Sequence, residues 1–291
     1  MRYTTIMTTP LRELLRPGAG VLIPGAANAL AARIAEAAGF DAVILTGAGL
    51  ANTYLGVPDL GLTSVTEVAD HLAAMREAVS IPIIADGDTG FGNAVNLRRT
   101  VRVFERAGAD AIQLEDQVFP KRCGHFEGKQ LVSRAEMVQK VKAAVDARQG
   151  GLLILARTDA RAVEGLAAAL DRAAAYLEAG ADLIFVEAPQ SAEELAAIPR
   201  ELRATHLCNM VYGGRTPLLP RESLAGMGYA GIIYANAALQ ASMLAMQRVL
   251  SHLRKQGSLE GAEELLVSFD DRQKLVDYAA YQELERRYTG A

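Results

Sequence analysis

Glu115-Asp116-Gln117 is followed, after a short gap, by Lys121-Arg122-Cys123-Gly124-His125. Acids, cations, a thiol and an imidazole thus fall within one short stretch. The apolar run Ala111-Ile112-Gln113-Leu114 leads into it and reads as a buried strand that ends in polar chemistry. Strand exits are where α/β proteins place functional groups. Cations beside a thiol favour the thiolate, so Cys123 is a candidate acid/base or nucleophile. The alternative reading is a buried structural cysteine beside a surface basic cluster.

Other strand ends carry chemistry of the same kind. Strand side chains alternate in direction, so residues two apart face the same way. Asp86 and Asp88 share a direction, as do Gln113 and Glu115, Leu155 and Arg157, Phe185 and Glu187, and Leu207 and Asn209. If these exits converge, Asp86, Asp88, Glu115 and Glu187 meet at one mouth, with Arg157 as the one obvious cation. Unpaired buried carboxylates are costly, and a divalent cation would balance them. All-oxygen ligands without a His or thiolate pair favour Mg2+ or Mn2+ over Zn2+. The competing reading makes each acid a helix cap, with Asp88 placed ahead of 89–93. Gly90-Phe91-Gly92-Asn93 lacks the lysine of a phosphate loop and reads as a close-packed turn. Gly213-Gly214-Arg215-Thr216-Pro217 is a turn whose amides and Thr216 could hold a carboxylate. His206 reads as a packed strand residue.

The elements that must position these groups repeat along the chain. Strand-length apolar runs at 21–25, 42–46, 81–86, 111–116, 152–157, 183–187, 206–211 and 231–235 alternate with Ala-rich helical segments. Asn28 and Ser64 stand as helix caps. Ala38-Gly39-Phe40, Ala107-Gly108-Ala109 and Ala179-Gly180-Ala181 mark helix ends before strands. A long loop is expected over 47–62. Eight βα units describe an α/β protein of the (β/α)8 barrel type. A doubly wound open sheet is the alternative, but the turn Pro24-Gly25-Ala26-Ala27-Asn28 lacks its glycine fingerprint. A single domain spans 1–291, with a C-terminal helical extension from about 237 that comprises one helix over 237–255 and a last one from about 270 to 288. That tail exceeds what eight units need and should pack on the barrel or on a partner subunit.

Composition excludes several classes. The chain has 291 residues, is 51% hydrophobic and carries a net charge of −4. Scattered charge of both signs argues against nucleic acid and membrane surfaces as partners. No apolar run is long enough for a membrane span. Two cysteines form no disulfide framework, which points to a reducing, cytoplasmic setting.

Leu55-Gly56-Val57-Pro58-Asp59, the run from Asp86 to Asn93, Glu115-Asp116-Gln117 through His125, Ala156-Arg157-Thr158-Asp159-Ala160 and Cys208-Asn209-Met210-Val211 together resemble the isocitrate lyase / phosphoenolpyruvate mutase superfamily over nearly the whole length. The Lys-Arg-Cys-Gly-His loop looks like the lyase branch. Phe126-Glu127-Gly128-Lys129-Gln130 and the 213–217 turn look most like the dimethylmalate lyase and petal death protein group, and are similar to the carboxyphosphonoenolpyruvate phosphonomutase group. The resemblance implies a barrel whose last helix is exchanged between subunits of a homotetramer. It implies Mg2+ on Asp86, Asp88 and Glu115, partly through water. It places Thr46, Gly47 and Ala48 at the substrate carboxylate, Asp59, Gly124, His125, Arg157 and Asn209 at the substrate, and Glu187 near the bound acid. It makes Cys123 the general acid/base on a gating loop, with Arg157 and Glu187 as further catalytic positions.

Some positions depart from the methylisocitrate lyase pattern. Ile44 replaces an aromatic residue, Gln113 a histidine, and Gln240 an arginine that would help hold a third carboxylate; Arg272 stands where another arginine of that group could align. The reading is therefore a Mg2+-dependent carbon–carbon lyase acting on a malate-type 2-hydroxy dicarboxylate, a small-molecule carboxylic acid. The alternatives are P–C bond chemistry by a phosphonomutase or phosphonopyruvate hydrolase, 2-methylisocitrate cleavage, and a barrel that has lost catalysis and serves in binding or assembly.

Overall fold

The computed structural model describes residues 9–124 and 128–289. His125, Phe126 and Glu127, expected in the substrate loop, lie outside the described residues. Eight parallel strands close into a barrel in sequence order: β1 (Val21–Ala26), β2 (Val43–Leu45), β3 (Ile83–Asp86), β4 (Ala111–Glu115), β5 (Leu153–Thr158), β6 (Leu183–Val186), β7 (His206–Asn209) and β8 (Gly231–Tyr234). β1 pairs with β8 to complete the closure.

Alternation along the strands divides the core in two. Ile23, Ile44, Ile84, Leu155, Phe185, Leu207 and Ile233 fill the barrel interior, with Leu11 and Leu15 packed into the same cluster. Their neighbours Val43, Leu45, Ile83, Ile112, Leu114, Ile154 and Ile184 face the surrounding helices. Because Leu155, Phe185 and Leu207 point inward, Arg157, Glu187 and Asn209, two residues further on, also turn toward the axis at the mouth.

The expected caps form. Asn28 Oδ1 accepts from the Ala31 amide at 2.9 Å, and Ser64 makes a reciprocal capping box with Glu67. Asp88 does not cap. The helix Ala94–Arg106 is capped by Asn93, whose Oδ1 accepts from the Val95 and Asn96 amides. The 90–93 turn is close-packed, as read: Thr100 Oγ1 and Lys140 Nζ donate to the carbonyls of Gly90 and Thr89. His206 is a packed strand residue whose ring contacts the Leu202 carbonyl at 2.7 Å.

Two expectations are corrected. The stretch after β2 is helical rather than loop as far as Leu55, because Thr46 caps Gly47–Leu50 and the chain continues as a π-helical turn over Ala51–Leu55. The last helix is not continuous. Asp277, at φ 56°, breaks it into Phe269–Leu275 and Tyr278–Thr289; aspartate is among the residues that tolerate this left-handed conformation best. The long helix Ala237–Gln256 buries none of its residues and leaves Met243, Leu244, Met246, Leu250 and Leu253 exposed. Among the described residues no helix is long and apolar enough to cross a membrane.

Candidate active site

At the C-terminal ends of the strands lies a cavity that opens to solvent. Thr46, Ala48, Asp59 and Asp86 line one part of it, and Cys123, Gly124, Arg157, Glu187 and Asn209 another. The structure thus gathers nine of the expected site residues around one space. Gly47, Asp88 and Glu115 do not line it, but each touches a residue that does. Thr216 is buried away from it.

β2 and β3 build the first wall. The Gly47 amide donates to Asp86 Oδ2 at 3.1 Å, so the short helix after β2 presents its N-terminus to a carboxylate. A Cβ on Gly47 would stand 3.0 Å from that oxygen and 3.2 Å from Asp88 Oδ1, which leaves room for little beyond glycine. Asp86 Oδ1 accepts from Gln113 Nε2 at 3.1 Å and from the Asp88 amide at 3.2 Å. Asp88 adopts φ 46°, a conformation that costs energy and is common at functional sites.

The mouth holds more positive charge than Arg157 alone, which corrects the single-cation expectation. Lys121 is buried, with its Nζ 2.6 Å from Asp59 Oδ1 and 3.0 Å from Asp88 Oδ1. Lys129 Nζ lies 2.8 Å from Asp159 Oδ1. Arg157 lies over the Phe185 ring at 5.3 Å and shares its guanidinium among three acids: Nε is 3.3 Å from Glu115 and 3.0 Å from Asp159, and Nη2 is 3.1 Å from Glu187. Burial pushes Asp88 up to about 6 despite Lys121, and holds Glu115 well above the usual carboxylate range despite Arg157. Burial also works against charge on Lys121, yet Asp88, Glu115 and Asp59 hold it well above the ordinary lysine range.

The Glu115-Asp116-Gln117 triplet divides its work by strand alternation. Glu115 faces inward to Arg157. Asp116 faces outward, where its carboxylate accepts from Thr158 Oγ1, Tyr176 Oη and the Asp159 amide at 2.7, 2.7 and 2.9 Å. Gln117 clamps the Arg122 backbone, donating to its carbonyl at 2.8 Å and accepting from its amide at 2.9 Å. The Gln117–Leu131 bridge and the Val118 amide on the Gln130 carbonyl tie the two arms of the loop together. Cys123 is half-buried on this loop. Lys121 lines the same cavity as Cys123 while its ammonium also meets Asp59 and Asp88, and Arg122 is exposed.

Among the described residues no three His, Cys, Asp or Glu side chains are gathered tightly enough to enclose a metal ion. The donor chemistry nevertheless suits a hard cation that keeps its water. Mg2+ is commonly held through one or two carboxylates and retains several waters. Glu115 Oε1 and Gln113 Oε1 are buried without a hydrogen-bond partner among the described residues, a costly arrangement that a hydrated cation would relieve.

Sequence reasoning missed Lys129 and Asp159. Asp159 stands two residues beyond Arg157, so the rule that paired Asp86 with Asp88 could have found it. Lys129 stood inside the 126–130 stretch that carries the resemblance, but its role there was hidden because its partners arrive from β5 and from the loop itself.

An eight-stranded parallel barrel with an acidic mouth, an arginine and a half-buried thiol at its strand ends defines a (β/α)8 enzyme-type scaffold. The chain belongs to the phosphoenolpyruvate phosphomutase family, whose model matches residues 11–254. It is 45% identical over 279 residues to 2,3-dimethylmalate lyase of Eubacterium barkeri, covering 96% of each chain. It is 43% identical over 277 residues to a 2-methylisocitrate lyase of Aeropyrum pernix, covering 95% of this chain and 88% of that one. A solved phosphonopyruvate hydrolase complex with oxalate and Mg2+ superposes with a TM-score of 0.86 at 32% identity, covering 96% of this chain and 98% of the other.

Proposed function

We propose that this protein is a Mg2+-dependent carbon–carbon lyase that cleaves a malate-type 2-hydroxy dicarboxylate, of 2,3-dimethylmalate type, into a 2-oxo acid such as pyruvate and a carboxylic acid. The observation that carries the reading is the placement of the Cys123 thiol on the same small cavity as Asp86 and Arg157. A proton donor, an acidic cation-holding wall and a carboxylate-binding cation then surround one substrate-sized space. The likeness to 2,3-dimethylmalate lyase supports the substrate class.

Asp86, Asp88 and Glu115 would hold Mg2+ or Mn2+, whose chemistry is to lower the pKa of the substrate's 2-hydroxyl and to favour the emerging 2-oxo acid. The Thr46-Gly47-Ala48 turn and the Arg157 guanidinium bind carboxylate, with Glu187 holding the guanidinium in place. Asn209, Asp59 and Gly124 complete the substrate surround. A base takes the hydroxyl proton, the C2–C3 bond breaks as the 2-oxo group forms, and the bond's electron pair passes to C3 beside the second carboxylate. Cys123 gives its proton to that carbon and is left as thiolate. The apolar side chains of Ile44, Phe185 and Ile233 on the cavity wall suit alkyl substituents.

The whole chain 1–291 acts as one domain in a cytoplasmic homotetramer that exchanges its C-terminal helices. The exposed Met243, Leu250 and Leu253 support an assembly that covers that helix, and a chain with two cysteines in all fits a reducing compartment.

The test is a screen of 2-hydroxy dicarboxylates and phosphonates with lactate-dehydrogenase-coupled pyruvate detection. EDTA-sensitive pyruvate release from 2,3-dimethylmalate is expected. Phosphate release from phosphonopyruvate with no diacid cleavage would replace this reading with P–C bond chemistry.

A further inference from the structure

Lys129 is a buried cation to which the lyase reading gives no task. Its side chain is 2% exposed, and its ammonium lies 2.8 Å from Asp159 Oδ1. The same ammonium donates to the Gly124 carbonyl. Lys129 stands on the returning arm of the loop whose outgoing arm carries Cys123 and Gly124. One side chain thereby joins the two arms to the exit of β5.

What lies on either side of this contact gives it consequence. Asp159 is fully buried and braces Arg157, with Oδ2 accepting from Nε at 3.0 Å and Oδ1 from Nη2 at 3.1 Å. Asp159 is itself held from behind by Asp116, which accepts its amide. Gly124 packs so closely that a Cβ there would overlap Arg157 Nη2 and stand 2.6 Å from Glu187 Cγ. The Gly124 backbone therefore packs directly against the guanidinium, and the Lys129 ammonium ties its carbonyl to Asp159.

We propose that Lys129 is a positioning residue that sets the Cys123–Gly124 backbone against Arg157 by bridging the Gly124 carbonyl to Asp159. The catalytic consequence rests on the lyase reading; the positioning of Cys123 does not. A buried lysine retained only as a counter-ion for Asp159 would act on stability alone. A positioning lysine acts on the thiol, because small displacements of reacting groups cost large factors in rate.

The test compares the full-length wild type with Lys129→Met and Lys129→Arg. Each is treated with iodoacetamide in the absence of substrate, and Cys123 modification is followed by peptide mass spectrometry. Lys129→Met should raise the Cys123 alkylation rate by roughly tenfold, as the sulfur leaves its half-buried position and gains access to reagent. Lys129→Arg, which keeps a cation and donors, should recover most of the wild-type rate. With a turned-over diacid, Lys129→Met should lose roughly 10²-fold in kcat with a smaller change in KM. Should Lys129→Met fail to fold, Lys129→Gln serves in its place. Alkylation within twofold of wild type in the folded variant overturns the proposal, even if melting temperature falls. Because alkylation needs no substrate, a failed diacid screen would remove the lyase reading and leave this result standing.

Discussion

Lys121 holds its ammonium 2.6 Å from Asp59 Oδ1, deep enough that only 4% of the lysine side chain and 10% of the aspartate side chain reach solvent. The same nitrogen lies 3.0 Å from Asp88. Removing one partner of a buried pair costs about 3–5 kcal/mol, because the other charge is left uncompensated. Lys121→Met should therefore lower the melting temperature in EDTA. Mg2+ should raise the variant's melting temperature by more than it raises the wild type's, since a cation then supplies the missing charge. Equal Mg2+ increments in the two proteins would refute this account.

Asp86 lines the cavity while accepting from Gly47 and Gln113. Asp86→Ala should abolish both activity and the heat of Mg2+ binding in titration calorimetry, because a hard-cation site depends on its few carboxylates. EDTA should silence the wild type and Mg2+ or Mn2+ should restore it. Full turnover in excess EDTA would remove the metal from the mechanism.

Asp159 gives a pH prediction. Burial alone would raise its pKa, but Arg157 and Lys129 outweigh burial and hold it at about 2, below the ordinary 3.8. A depressed carboxylate contributes stability above its unfolded pKa and loses it as pH falls through the folded one. The contribution is thus complete above about pH 4 and fades toward about pH 2. Asp159→Asn should be less stable than wild type at pH 7, and the gap should narrow between pH 4 and pH 2 in chemical denaturation. A constant gap across that window would contradict the assignment.

Gln240 bears on specificity. It is exposed, donates to the Tyr212 carbonyl at 3.3 Å, and does not line the cavity, whose lining includes the apolar Ile44, Phe185 and Ile233. A third carboxylate entering there would meet no cation from position 240, and an unpaired buried carboxylate is costly. The kcat/KM for 2-methylisocitrate should fall below that for 2,3-dimethylmalate by roughly 10²-fold or more. The reverse order in a direct competition assay would overturn this.

Much of the barrel could be read from period-two runs punctuated by Ala-Gly turns, because those signals are local. The same alternation predicted that Arg157, Glu187 and Asn209 share the mouth, and the structure agrees. It failed where partners come from distant segments. Lys121 read only as a neighbour of the thiol, and its ion pairs with Asp59 and Asp88, brought in from the loop before the 65–78 helix and from the exit of β3, could not be seen. Asp116 read as half of an acidic pair, yet its partners Tyr176 and Arg172 lie on the 166–178 helix. The break at Asp277 left no signal, because aspartate is common within helices and in left-handed turns alike.

Cys123 remains the residue on which the chemistry turns. It is half-buried, lines the cavity with Arg157 and Glu187, and precedes the glycine that packs against both. Cys208 offers a control. It lies on β7, 1% exposed, and burial pushes its thiol up well beyond the usual range. Alkylating reagents should therefore inactivate the enzyme through Cys123 and leave Cys208 almost untouched, and bound substrate should protect. Cys123→Ser keeps size and hydrogen bonding but replaces the thiol with a far weaker acid. As proton donor to the carbanion, Cys123 should lose roughly 10²–10⁴ in kcat on that change. Mg2+ affinity should stay constant, since sulfur is not among the proposed ligands. A structural cysteine predicts instead near-normal kcat with a lowered melting temperature. Measuring kcat, Mg2+ affinity and melting temperature on this one variant separates the two, and near-normal kcat would take Cys123 out of the mechanism.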